Sequence, residues 1–94
     1  MEALIKFSFE RWEKCQYADL VVELGDDNCR QLPVAKATYD EYSDTFGKAK
    51  RLIMQVSENG KMHEFVVHYF VDCDSWQYSN MESDEWFDLY IKVR

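Results

Sequence analysis

A chain of 94 residues with 18 acidic and 11 basic side chains, for a formal charge of −7, has room for one domain and one modest core. Its negative field repels nucleic acid and anionic membrane and attracts basic surfaces, while 47% hydrophobic and 16% aromatic content excludes a disordered chain. No apolar run approaches the ~18 residues of a membrane-spanning helix. The start Met1-Glu2-Ala3-Leu4 lacks the basic and then apolar pattern of a signal peptide. Cys15, Cys29 and Cys73 are odd in number and widely spaced, so they are expected as free thiols of a cytoplasmic protein. They form neither a disulfide framework nor a zinc half-site.

Ile5, Phe7 and Phe9 alternate with Lys6, Ser8 and Glu10, which predicts a half-buried strand. Leu20, Val22 and Leu24 predict a second. Gly25-Asp26-Asp27-Asn28 is dense in turn formers and should reverse the chain. Cys29 to Ala37 reads as loop or third strand, and in a strand Pro33 requires an edge or a bulge. Thr38 followed by Glu41 has the capping-box spacing, so residues 39–46 are expected as a short helix ended by Gly47. Tyr39, Tyr42 and Phe46 would give that helix one apolar face.

Glu58-Asn59-Gly60-Lys61 is the clearest local signal, because Asn-Gly between apolar runs favours a tight hairpin. Counting back pairs Val56 with His63, Met54 with Phe65 and Leu52 with Val67, all on one face. Ile53, Val66 and Phe70 then lie on the opposite face. Phe87, Leu89, Ile91 and Val93 define a last strand. The expected fold is one α+β domain over residues 1–94, a four- to five-stranded mostly antiparallel sheet with the helix 39–46 packed on it.

Enzyme and metal signatures fail on spacing. His63 and His68 are five apart on one strand and so face opposite ways. Asp72-Cys73-Asp74 opens like a calcium loop, but Trp76 and Gln77 stand where an oxygen ligand and a glycine are required. The three glycines make no phosphate-cradling loop, and serine-nucleophile motifs are absent. No cofactor is expected, and the chain is read as a non-enzyme. Lys48, Lys50 and Arg51 cluster, but against the net field they do not make a nucleic-acid site.

The distinctive segment runs from Asp72 to Asp88. Asp72, Asp74, Glu82, Asp84, Glu85 and Asp88 are interleaved with Trp76, Tyr78 and Trp86, without a lysine, arginine or histidine between them. Like charges held together cost stability, so such a run asks for a reason. Carboxylates beside amphipathic aromatics suit an arginine-rich partner surface, since guanidinium pairs with one and stacks on the other. Asp40, Glu41 and Asp44 are the second candidate group. The alternative is that these aromatics are core and the acids a solvated loop.

In size, charge and general class the chain resembles the small acidic proteins that phages use against host defence, among them anti-restriction DNA mimics and anti-CRISPR proteins. No residue motif carries that resemblance. It implies an inhibitor that occupies the basic nucleic-acid-binding surface of a protein or nucleoprotein complex, without itself contacting nucleic acid or membrane. An immunity protein or antitoxin against a basic nuclease would place the same demands on the sequence. A small assembly domain, self-associating through Ile53, Val66 and Phe70, is the third reading, so monomer and homodimer both stay open.

Overall fold

The computed structural model describes residues 3–12, 19–25, 30–45, 47–81 and 86–93. Its elements are β1 (Ala3–Lys6), α1 (Phe9–Trp12), β2 (Leu20–Leu24), β3 (Gln31–Asp44), β4 (Gly47–Glu58), β5 (Lys61–Phe70), β6 (Ser75–Asn80) and β7 (Phe87–Val93). All seven strands join one antiparallel sheet in the order β1-β7-β2-β3-β4-β5-β6.

This overturns the expected α+β fold of four or five strands with a helix over residues 39–46. The protein is nearly all β: of the stretch assigned to that helix, residues 39–44 are the second half of β3, paired with β4 from Tyr39↔Leu52 to Asp44↔Gly47, and Phe46 lies outside the described residues. The reason is tertiary. An isolated helix of that length is marginal in water, whereas β4 offers a full ladder of backbone partners. Tyr39 and Tyr42 also suit a pleated surface better than a helix. The Thr38 and Glu41 spacing therefore goes unused as a cap, and Gly47, at φ 102°, serves the β3–β4 turn instead. The α-helical structure among the described residues is the single turn α1. Ser8 starts it, its carbonyl accepting from Trp12 N at 2.9 Å and its hydroxyl from Arg11 N at 3.2 Å. The first strand accordingly stops at Lys6 rather than continuing to Phe9.

The β4–β5 hairpin takes the register its sequence predicts, with Glu58↔Lys61, Val56↔His63, Met54↔Phe65 and Leu52↔Val67. Asn59 and Gly60, at φ 52° and 80°, supply the paired left-handed residues of a two-residue loop.

β3 decides the shape. Its start, Gln31–Pro33, pairs with β2, and from Val34 onward it pairs with β4. A register shift between Val34 and Lys36 marks the crossing, next to the proline that a continuous ladder would not accommodate. The sheet thereby bends over on itself. Its concave face buries Leu20, Val22, Leu52, Met54, Val56, Phe65, Val67, Phe87 and Ile91 almost completely. Phe65 of β5 meets Phe87 of β7 edge to face, with centroids 4.9 Å apart, although three strands separate them in the sheet. Each such side chain contributes about 1.5–3 kcal/mol on burial. No helix of the described residues is long and apolar enough to cross a membrane.

Candidate partner-binding site

The outer face of the β2–β7 pair carries the most exposed aromatic among the described residues beside two carboxylates that face each other. Alternation along β7 sends Phe87, Leu89 and Ile91 inward and leaves Asp88 and Tyr90 outward. Glu23 on β2 lies directly opposite Asp88 in the ladder. Glu23 accepts a hydrogen bond from Gln31 Nε2 at 2.9 Å, which braces it toward β3. Trp86, 63% exposed, precedes β7. Gly25 N donates to its carbonyl at 3.3 Å, and a Cβ at Gly25 would stand 3.0 Å from the indole, so glycine lets the ring lie flat against the backbone. Burial, and then the charges of Glu23 and Asp88, push the Tyr90 phenol above its ordinary range, so its proton stays available for donation.

The other acids and aromatics expected at the surface separate into different places. Asp72 and Asp74 sit in the turn between β5 and β6, at the far end of β6 from Met81. The Asp72 carboxylate lies over Gly47, which pairs with Asp44, so one sheet end collects Asp44, Asp72 and Asp74. The Tyr69 hydroxyl donates to Asp74 Oδ1 at 2.7 Å. Asp40 and Glu41, neighbours in β3, point to opposite faces. Arg51 binds both oxygens of Asp40 and holds its carboxyl below the usual range, while Glu41 accepts from the Tyr39 hydroxyl at 2.5 Å. Trp76 is half-buried on the concave side, stacked on Phe9 at 5.6 Å and tilted on Tyr69 at 4.6 Å. Tyr78 packs edge-on against Phe87 at 5.4 Å and is 44% exposed. Glu82, Asp84 and Glu85 lie outside the described residues.

Sequence reasoning missed a polar cluster on the outer face of β3, β4 and β5. Asp40, Arg51 and His68 are cross-strand neighbours in one row. The Tyr42 hydroxyl and His68 Nδ1 are 2.9 Å apart, and Arg51 stacks over the Tyr42 ring at 5.2 Å. Burial, and then the Arg51 charge, lower the His68 pKa, so the ring is held neutral. The signal was available in the strand alternation of residues 38–44, but the helix reading scattered these side chains.

Comparison with family models, with curated proteins and with solved structures finds no match for the chain.

Proposed function

We propose that this protein acts by binding, its acidic outer β2–β7 face occupying a basic surface of a partner protein. The observation that supports this most directly is the ladder pair Glu23 and Asp88 beside the exposed Trp86. Opposed carboxylates are destabilising in a sheet, and a large exposed indole is a hot-spot residue type. A guanidinium group satisfies both at once, forking to a carboxylate and stacking on the ring. The acids Asp26, Asp27, Glu82, Asp84 and Glu85 belong to the two segments that follow Gly25 and precede Trp86 in the chain.

A partner surface that otherwise contacts phosphates fits this chemistry, which makes the inhibitor of a nucleic-acid-binding protein or complex the preferred reading. The action is then steric and electrostatic, in the cytosol, with no covalent step. The test is capture of nuclease-treated cell extract on the tagged chain at low and high salt, beside the variant Trp86→Ala with Glu23→Lys and Asp88→Lys. Recovery of a basic protein that is lost with salt and lost with the variant supports the reading. Equal recovery by both chains sinks it.

A further inference from the structure

Backbone groups in an antiparallel ladder alternate, so every second residue of a strand bonds one neighbour and the residues between bond the other. Met81 N donates to Glu64 O at 3.0 Å, and with the β5–β6 register this makes Ser75, Gln77 and Ser79 the residues of β6 that bond β5. Trp76 and Tyr78 therefore direct their N–H and C=O groups away from β5, and β6 is the last strand of the sheet. Across the seam, Gly25 N bonds Trp86 O, so Phe87 likewise turns its backbone groups away from β2. β1 pairs with β7 only over Tyr90–Val93, and Phe7 N takes the Leu89 carbonyl. Rings close the seam instead of backbone bonds: Phe7 and Phe9 on Trp76, and Tyr78 on Phe87.

Open edges are ordinarily blunted by lysine, proline, a bulge or shortness. β1, at the other end of the sheet, is four residues long and ends in Lys6. β6 reads Ser-Trp-Gln-Tyr-Ser-Asn, with neither lysine nor proline and no charge of either sign. Carboxylates mark both of its ends: Asp72 and Asp74 before it, and Glu64, bonded through its carbonyl to Met81, after it. Lys50, on the same face of the sheet as Trp76, holds its ammonium over the Phe9 ring at 5.6 Å.

We propose that the β6 edge takes up an extended segment of a partner protein by strand addition at Trp76 and Tyr78, and that this segment carries lysine or arginine at both ends with uncharged residues between. The charge pattern selects that occupant. Antiparallel pairing of two copies through β6 would bring Asp72 and Asp74 of one against Glu64 of the other. Nucleic acid would meet carboxylates at both ends. A basic-ended strand pairs its main chain with the neutral middle and its charges with the acids. The inference rests on the acidic-surface reading for the sign of the partner's charge.

The experiment is residue-resolved amide hydrogen exchange on the isotope-labelled full chain, titrated at low salt with the peptide Lys-Arg-Thr-Val-Thr-Val-Thr-Arg-Lys. In the protein alone the Trp76 and Tyr78 amides exchange fast and the Gln77 amide slowly. Saturating peptide slows Trp76 and Tyr78 by about tenfold or more and leaves Gln77 unchanged. The same peptide with glutamate at its four basic positions has no effect. Three results overturn the proposal. The first is equal or absent slowing by the two peptides. The second is slow exchange at Trp76 and Tyr78 at every protein concentration, which means the chain covers its own edge. The third is peptide-free slowing that grows with concentration, which makes a second copy the occupant. The Trp86 variant does not alter this readout, so failure at the edge and failure of the β2–β7 surface remain distinguishable.

Discussion

Glu23 of β2 faces Asp88 of β7 across a hydrogen-bonded position of the ladder, where Cα atoms stand about 5.5 Å apart. Carboxylates on directly opposed residues repel, and neither residue has a basic one opposite it in the register. Asp88→Asn should therefore stabilise the fold by about 0.2–1 kcal/mol, read as a raised urea midpoint at unchanged slope. The gain should shrink in high salt, which screens the pair. A loss of stability would mean that Asp88 carries an attractive contact and that the pair is not under strain.

Trp86 and Trp76 should behave as opposites. Trp86 is 63% exposed, whereas Trp76 is enclosed by Phe7, Phe9 and Tyr69. Trp86→Phe should remove the component of the fluorescence most readily quenched by acrylamide and change stability by no more than about 0.5 kcal/mol. Trp76→Ala should cost about 3 kcal/mol, because it opens the ring cluster that closes the seam.

Gly47 and Gly60 both adopt positive φ, but only Gly47 is crowded. A Cβ there would overlap Asp72 Oδ2, while nothing lies within 4 Å of one at Gly60. Gly47→Ala should cost more than Gly60→Ala, which pays only the left-handed strain of roughly 1 kcal/mol. Combining Gly47→Ala with Asp72→Ala should recover part of the difference. Equal costs for the two single changes would remove Asp72 from the explanation.

His68 links stability to pH. Its pKa in the fold lies below the ordinary 6.5, so the unfolded chain binds more protons between the two values. Stability should consequently rise with pH up to about 6.5–7 and fall on acidification through that window. With the proton on Nε2 the Tyr42 hydroxyl donates to Nδ1, a bond that imidazolium cannot accept. His68→Gln should flatten the slope above pH 5, measured by urea unfolding at a series of pH values. The Asp40 carboxyl, lowered by its bond to Arg51, acts only below its ordinary 3.8 and leaves that window clear.

Local chemistry alone determined part of this protein. Asn59-Gly60 demands paired positive φ angles, and the alternation on either side then allows one register for β4 and β5. Leu20–Leu24 and Phe87–Val93 are legible as strands for the same reason: a period of two with one apolar side has one way to be buried. The acidity, and the choice of Trp86 as a candidate anchor, also come from the chain as written.

Residues 38–44 show where that reasoning stops. A capping-box spacing and a following glycine are local preferences worth about a kilocalorie. They lose to a continuous ladder with β4 that no window of a few residues contains. The same long-range pairing splits the stretch from Asp72 to Asp88, sending Asp72 and Asp74 to one sheet end with Asp44 and placing Asp88 opposite Glu23. Which acids stand together, which tryptophan is exposed and which strands end the sheet depend on contacts between residues far apart in sequence, and only the folded sheet sets them.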